Sequence, residues 1–332
     1  MQKITREQLI DKASELLDAG TVSCVLGWGA GEFGYDVTPT LFKTREELAD
    51  GFVFGDFCGA NFSKYLVSKT QKLEGKILVF LKPCDTYSFN QLLTEHRFER
   101  ERVYAVGIPC EGMADISKVK AIAGDGIAKI DSEGEKIVVS TIYNDEPVII
   151  DTDKVLLERC INCKSKKHVA YDELMGDEGE VIDSARFDEV ARLEAMTPDE
   201  RFAFWQNELS KCIRCNACRD VCPACTCEKC VFDNPNSGVE NKSPTTSFEE
   251  KMFHIIRAFH VAGRCTDCGE CSRVCPQNIP LHLLNRKFIK DINEFYGEYQ
   301  AGEVVGSRAP LVDYTTEDIE PGEVFDRRDN NA

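Results

Sequence analysis

The chain has 332 residues, 42% of them hydrophobic, and is therefore long enough to form two domains with a substantial core. Its formal net charge of −17 argues against nucleic acid as a partner, because binding to phosphates requires a basic face. Seventeen cysteines in a chain of this length favour thiolate–metal chemistry over the disulfide scaffold of short secreted proteins. No apolar signal segment follows Met1, and no apolar run approaches the roughly 18–20 residues that span a bilayer, so we expect a cytoplasmic protein without a transmembrane segment.

Residues 1–165 predict an α/β domain in which helices alternate with buried strands. Continuous apolar runs at 76–82 and 101–107 are typical of strands that are covered on both faces of a sheet. Residues 136–142 and 147–150 predict an antiparallel pair of strands. The fold class is therefore an α/β domain followed by a second, cysteine-rich module.

A glycine-rich segment in the α/β domain raises the question of a flavin. A short apolar strand at 22–26 leads into this segment, as it would into a phosphate-binding turn. A tight turn that needs positive φ angles is the alternative. If FAD or FMN binds here, the candidate binding residues are Gly27, Gly29, Gly31, Gly34 and Lys82.

The second half of the chain divides into three parts. Residues 166–210 predict a charged linker and a helix that Thr197 caps. Residues 211–290 predict a ferredoxin-like module with two 4Fe-4S clusters and a helical insertion, and residues 291–332 predict an acidic tail.

The insertion lies at 223–264 and contains a helix that Thr246 is expected to open. An apolar stripe runs along this helix, and we expect it to pack against the cluster module; a groove for a partner is the alternative. The stripe consists of Met252, Ile255, Ile256 and Phe259.

Two cysteine runs carry the strongest functional signal of the sequence. Both have the pattern C-x2-C-x2-C-x3-C-P, by which bacterial-type ferredoxins hold two 4Fe-4S clusters, and the fourth cysteine of each run binds the other cluster. Zinc sites are the alternative. A zinc site, however, has four ligands that usually come as two separated pairs, and it requires neither the third C-x2 step nor the final Cys-Pro. The predicted ligands of cluster I, here called set I, are Cys212, Cys215, Cys218 and Cys275. Those of cluster II, called set II, are Cys222, Cys265, Cys268 and Cys271.

A further set of four cysteines, called set III, comprises Cys84, Cys110, Cys160 and Cys163. Cys84 and Cys110 each follow a proline at the end of a predicted buried strand. Because ligands bind at the carboxyl ends of neighbouring strands in α/β sheets, both thiols could face one crevice. The C-x2-C pair at 160–163 could then complete a third cluster site, whereas four unrelated buried cysteines are the alternative.

The stretch from Lys76 to Asp177 resembles the beta subunits of coenzyme F420-reducing hydrogenases and related formate dehydrogenases. The resemblance is carried by Lys-Pro-Cys-Asp at 82–85, Val-Gly-Ile-Pro-Cys-Glu-Gly at 106–112, and the C-x2-C pair with its acidic continuation to Gly176-Asp177. It implies that set III holds a 4Fe-4S cluster beside a FAD that exchanges hydride with a deazaflavin.

The carboxyl-terminal half resembles the dicluster modules of heterodisulfide-reductase-like and anaerobic sulfite-reductase-like electron-transfer subunits. Gly-Arg-Cys at 263–265 and Cys-Pro-Gln-Asn-Ile-Pro at 275–280 carry this resemblance. It implies that the chain works with other subunits of a redox complex.

Three cysteines between the two runs remain without an assignment. They could form a further metal site together with Cys24 or Cys58, or they could shield the neighbouring cluster as buried thiols. These cysteines are Cys225, Cys227 and Cys230.

Three functions follow from the sequence as hypotheses. The leading one is an iron–sulfur electron-transfer subunit of an anaerobic multi-subunit oxidoreductase of hydrogenase, formate dehydrogenase or heterodisulfide-reductase type. The second is a flavin-dependent subunit that exchanges hydride with a deazaflavin or NAD(P). The third is a docking adaptor whose amino-terminal domain binds no cofactor. Since the chain is acidic, we also expect low cluster potentials.

Overall fold

The computed structural model describes residues 4–182, 185–234 and 247–312. The expected cap at Thr246 and the tail beyond residue 312 lie outside these residues. The strands are β1 (Cys24–Ala30), β2 (Val37–Phe42), β3 (Ile77–Leu81), β4 (Val103–Gly107), β5 (Ile127–Glu133), β6 (Lys136–Thr141), β7 (Val148–Asp151) and β8 (Glu173–Leu174). The helices are α1 (Arg6–Asp18), α2 (Arg45–Gly51), α3 (Ser63–Lys72), α4 (Pro83–Thr94), α5 (Ile116–Ala123), α6 (Glu158–Ile161), α7 (Asp188–Glu194), α8 (Pro198–Ser210), α9 (Ala217–Asp220), α10 (Ser247–His260), α11 (Glu270–Arg273) and α12 (Leu281–Tyr296).

A five-stranded sheet forms the centre of the amino-terminal domain, with the strand order β2-β1-β3-β4-β8. Strands β1, β3, β4 and β8 are parallel, and β2 pairs antiparallel to β1 at one edge. Every residue of β3 is buried, as the continuous apolar run at 76–82 predicts. The two apolar runs are neighbours in the sheet, and β3 and β4 therefore end side by side.

A second sheet consists of β5, β6 and β7 in that order, and both pairings are antiparallel. The antiparallel pair predicted at 136–142 and 147–150 corresponds to β6 and β7. Strand β5 was not predicted, because most of its side chains are polar or exposed and its sequence lacks a regular alternation.

Strand β1 differs from the prediction in its length. It continues to Ala30, so Gly27 and Gly29 lie in a strand of a β-hairpin and not in a loop before a helix. A side chain at Gly27 would lie 2.6 Å from the Phe52 ring, and one at Gly29 would collide with Thr40. Close packing within the hairpin therefore accounts for both glycines.

Helices α8, α10 and α12 pack together in the carboxyl-terminal half. Thr197 caps α8 through a capping box, as predicted. The expected packing of the apolar stripe on α10 is wrong for most of its residues, since Phe259 is 62% exposed and Met252 37% exposed. The side chains that α10 buries include Phe253, and two of them are polar, which an apolar periodicity cannot reveal.

The segment predicted as an acidic tail begins inside α12. After this helix, Ala301 and Ala309 are buried. Gly302 lies so close to the backbone carbonyl of Tyr87 on α4 that no side chain would fit between them. Residues 297–312 therefore form a strap that packs against the amino-terminal domain. Among the described helices, none combines the length and the apolar character needed to cross a membrane.

Candidate iron–sulfur centres and an adjoining cleft

The four cysteines of set III line a single cavity at the junction of the two halves of the chain. Cys84 lies in the first turn of α4, directly after β3, and Cys110 follows β4. Cys160 lies in the short helix α6, and Cys163 lies just beyond it. The parallel pairing of β3 with β4 thus brings together two thiols that are 26 positions apart in the sequence.

His168 holds the ends of the two strands in place. Its Nε2 lies 3.2 Å from the carbonyl oxygen of Leu81 and 3.0 Å from that of Ile108. Leu81 is the last residue of β3 and Ile108 directly follows β4, so the ring bridges the strand ends next to set III. His168 therefore has the structural role that is more usual for a buried histidine.

Buried cations surround the cavity of set III. Lys82 is 1% exposed; its Nζ lies 2.8 Å from Asp85 Oδ2 and 3.0 Å from the Ala60 carbonyl oxygen. Lys164 also lines the cavity, and burial and Arg186 lower the pKa of its amine to about 8. Lys82 was predicted as a flavin ligand, but its side chain lies with the thiols of set III.

Burial makes two of the set III thiols, Cys84 and Cys110, poor anions on their own. It raises the pKa of Cys110 to about 11 and that of Cys84 well above its usual value. Iron replaces the thiol proton and stabilises the thiolate. The iron of a bound cluster would therefore supply the positive charge that these buried thiolates need. The donor set of four thiols around one cavity fits a 4Fe-4S cluster.

The four cysteines of set I line a second cavity. The loop that carries the first three has left-handed backbone at Arg214 (φ 56°) and Asn216 (φ 64°). The Arg214 amide donates to Cys212 Sγ at 3.4 Å. Such backbone is unfavourable for residues other than glycine and occurs where a loop must wrap tightly around a site.

The loop of set II repeats this geometry. Asp267 (φ 57°) and Gly269 (φ 65°) occupy the positions that correspond to Arg214 and Asn216. The Asp267 backbone amide donates a hydrogen bond to the Cys265 thiol, as the Arg214 amide does to Cys212. Within set II, Cys268 interacts electrostatically with each of the other three thiols, Cys222, Cys265 and Cys271. The two runs therefore fold as a structural repeat, each with a short helix, α9 or α11, behind its loop.

Set II and set III share a wall. Cys268 lines the cavity of set III together with Asp267 and Arg286. Arg159, which precedes Cys160, donates to the carbonyl oxygen of Cys268 and pairs with Glu270 Oε1 at 2.6 Å. This buried ion pair joins the amino-terminal domain to the dicluster module next to the cavity of set III.

Helix α10 contributes two polar side chains that the sequence did not identify. His254 lines the cavity of set I, and burial and the charge of Arg257 lower the pKa of its imidazole to about 3. Arg257 donates to Cys218 Sγ at 3.2 Å. The only sequence signal for them is a pair of polar residues, spaced i and i+3, on a helix whose apolar positions are partly exposed.

Three of the remaining cysteines have contacts close to their own positions in the sequence. The Cys58 thiol lies 3.7 Å from the Val53 carbonyl oxygen within its own loop, and Cys24 contacts Ser23 on β1. Cys225 lies beside Cys222. In the described part of the chain, no three His, Cys, Asp or Glu side chains converge on a position for a single ion.

A cleft of about 690 Å³ adjoins the cavity of set III. It lies between the two sheets, with Phe54 and Pro109 on one side and Ser132 and Asp151 on the other. Cys110 lines both the cleft and the set III cavity. The predicted flavin residues Gly27, Gly29, Gly31, Gly34 and Lys82 are not among the residues that line this cleft.

Comparison with known proteins places these features in a class. Residues 208–279 match the family described as the 4Fe-4S dicluster domain. The carboxyl-terminal half is therefore an iron–sulfur module of the dicluster type, and the chain is a 4Fe-4S protein.

Most of the chain is homologous to beta subunits of F420-dependent formate dehydrogenases. It is 23% identical to F420-dependent formate dehydrogenase subunit beta of Methanocaldococcus jannaschii, a match that covers 83% of this chain and 86% of the relative. It is 24% identical to F420-dependent formate dehydrogenase 1 subunit beta of Methanococcus maripaludis, over 89% of this chain and 92% of the relative. The resemblance to the formate dehydrogenase beta subunits is thereby confirmed, and the carboxyl-terminal resemblance is confirmed as far as the 4Fe-4S dicluster module.

A weaker similarity relates the chain to a solved structure. It aligns with a chain of the F420-reducing NiFe hydrogenase complex from Methanosarcina barkeri at a TM-score of 0.34 and 14% identity. The alignment covers 62% of this chain and 88% of that one.

Proposed function

We propose that the chain is an iron–sulfur electron-transfer subunit of an oxidoreductase complex and that it holds three 4Fe-4S clusters in a row. The observation that carries this proposal is the shared wall at Cys268, a member of set II that also lines the cavity of set III. Sets I and II exchange their fourth cysteines in the ferredoxin manner, which makes them neighbours as well. The order along the row is therefore III, II, I.

The protein contributes ligands, burial and exclusion of water to this row. Bound 4Fe-4S clusters accept and donate single electrons, with potentials set by charge, hydrogen bonds and solvent access. The cysteines of sets II and III are all buried or partly buried, whereas Cys215 of set I is exposed and its neighbour Ile213 is 58% exposed. The set I end of the row thus faces the surface, where a partner subunit could exchange electrons.

The homologous formate dehydrogenase beta subunits support the proposal that this chain is a subunit of a complex of the formate dehydrogenase or hydrogenase type. The proposed partners are accordingly other subunits of such a complex. The acidic net charge of −17 fits this assignment and again speaks against nucleic acid.

The proposal is tested by comparing two cysteine variants of the anaerobically purified chain. Cys110→Ala removes a set III ligand and should lower the iron content by about four atoms per chain while both dicluster EPR signals remain. Cys58→Ala is the matched control, since this buried thiol lies outside all three sets. Equal iron contents in the two variants would rule out a cluster on set III.

A second candidate function is hydride exchange at a flavin, and the cleft beside Cys110 is the observation that favours it. Its volume of about 690 Å³ lies within the range of cofactor sites, and it adjoins the proposed third cluster. A flavin bound there would link two-electron hydride chemistry to the single-electron row. The hydride partner would be a deazaflavin or NAD(P).

The flavin proposal is tested by acid extraction and by blocking the cleft. Near one flavin per chain should be released from the native protein, and Ser132→Trp, which fills the cleft, should abolish binding of added FAD or FMN. Ser68→Trp places the same side chain on an exposed helix position and should bind like the native chain. Absence of flavin from the native chain, together with no binding of either added flavin, would refute this function.

A further inference from the structure

Helix α10 buries a histidine without giving it a partner. His254 is 2% exposed, and neither Nδ1 nor Nε2 of its ring has a hydrogen-bond partner in the described structure. A buried polar group without a hydrogen-bond partner is destabilising, so such groups are rare in native proteins. The ring lines the cavity of set I, and whatever fills that cavity is the available partner.

Arg257 lies almost one turn further along α10, and its buried positive charge likewise requires a partner. The residue is 6% exposed, and among the described residues its guanidinium donates to thiol and carbonyl groups and not to a carboxylate. Its Nη1 donates to Cys218 Sγ at 3.2 Å, and its Nη2 donates to the Cys218 carbonyl oxygen at 3.1 Å and lies 3.8 Å from Cys225 Sγ. A buried cation requires a counter-charge, and the groups within reach that can become anions are thiols.

We infer that His254 donates a ring N–H to a sulfur of cluster I and that Arg257 supports it with a charged hydrogen bond to the Cys218 thiolate. The inference rests on the proposed function, because it requires a cluster on set I. His254 and Arg257 are positioning residues: they hold and tune the cluster but are not its ligands. A neutral imidazole carries one N–H, which is sufficient for this role.

The physical consequence is a higher reduction potential for cluster I. Reduction adds negative charge to the cluster, and hydrogen bonds and a buried positive charge stabilise the reduced form. The electron is therefore favoured at the exposed end of the row, where Cys215 meets the solvent. Helix α10 belongs to the insertion between the two cysteine runs, so the insertion acquires a role in setting this potential.

The first test is a redox titration, followed by EPR, of three variants in the full chain. His254→Leu removes the donor and should lower the equilibrium constant for reduction of cluster I about tenfold. For one electron this corresponds to a midpoint potential that is lower by about 59 mV. His254→Gln retains an N–H donor and should restore part of the shift. His260→Gln is the control, because His260 is exposed on the same helix.

The second test uses the native chain, so it does not depend on the folding of a variant. Labelling the five histidines with nitrogen-15 should give a weak nitrogen coupling to cluster I in pulsed EPR, and the coupling should be absent in His254→Gln. An unchanged potential with no coupling would overturn the inference, and a strong coupling would overturn it by making His254 a ligand. Loss of the proposed function itself would look different, since the native chain would then lack the iron and EPR signal of cluster I.

Discussion

Buried cations lie beside all three cysteine sets, although the chain as a whole is strongly acidic. The expectation of low potentials was based on the net charge of −17. The acidic groups responsible for that charge are mostly at the surface, where solvent screens them. Beside the thiols, the buried cations Lys82 and Arg159 are paired with the carboxylates Asp85 and Glu270, whereas Arg257 donates to the Cys218 thiol. The partly exposed Lys164 and the buried Asp267 also line the cavity of set III, so the charges beside the clusters are mixed and do not follow the net charge of the chain.

Glu270 is the carboxylate on which the junction between the two halves depends. It is fully buried and pairs with Arg159 at 2.6 Å and with Arg273 at 2.7 Å, and its Oε2 also accepts from the Asn61 amide at 3.2 Å. Burial raises the pKa of Glu270, but Arg273 and Arg159 outweigh it and lower the pKa to about 2. The side chain is therefore charged at every pH at which the protein works.

Glu270→Gln should destabilise the protein by about 3 kcal/mol, because it leaves the buried guanidinium of Arg159 and the partly exposed one of Arg273 without their counter-charge. The measurement is an anaerobic urea titration followed by circular dichroism. Glu101→Gln provides the matched control at an exposed position and should change the stability by less than about 0.5 kcal/mol. Equal midpoints for the two variants would contradict the assigned role of Glu270.

At the scale of elements, the sequence predicted best where an element is continuous and apolar. The runs at 76–82 and 101–107 led directly to β3 and β4, and the proline-cysteine steps after them led to the cavity of set III. Prediction failed where polar residues are buried. On α10, His254 and Arg257 face the cavity and a thiol, whereas much of the predicted apolar stripe is exposed, because periodicity records hydrophobicity and not contact with a cofactor.

The glycines of the β1–β2 hairpin illustrate a second limit. Glycine in a sequence indicates either an unusual φ angle or a close approach, and the sequence does not distinguish between them. The close approach of Thr40 to Gly29, and of Asp36 to Gly31, is visible only when both strands are in place.

The strap at 297–312 offers a prediction about an element that the sequence assigned to the tail. Gly302 (φ 76°) faces the Tyr87 carbonyl oxygen with no room for a side chain, whereas Gly306 (φ 79°) has open space around it. Gly306→Ala should cost only the roughly 1–2 kcal/mol of a left-handed backbone. Gly302→Ala adds a steric clash with the backbone and should cost clearly more.

The two glycine variants are compared by urea unfolding under anaerobic conditions. Because both positions have nearly the same φ angle, the difference between the variants isolates the contact of the strap with α4. If both variants unfold at the same denaturant concentration, the strap does not stabilise the amino-terminal domain.

At the scale of the whole molecule, the chain joins a parallel sheet to a dicluster module through a buried junction. The sheet brings Cys84 and Cys110 together, and the junction sets their cavity against Cys268. The domain order could be predicted from the sequence, because each half carries its own cysteine pattern. The junction could not be predicted, since Arg159 and Glu270 are 111 positions apart and only the folded chain brings them into contact.

The most direct test of the central claim is a count of clusters in the anaerobically purified chain. Iron and acid-labile sulfide are quantified against protein, and an EPR-monitored redox titration counts the one-electron couples. We predict about twelve irons per chain and three couples, with magnetic interaction between neighbouring clusters. About eight irons and two couples, in a chain that remains folded, would contradict the row of three clusters and leave set III as four buried thiols.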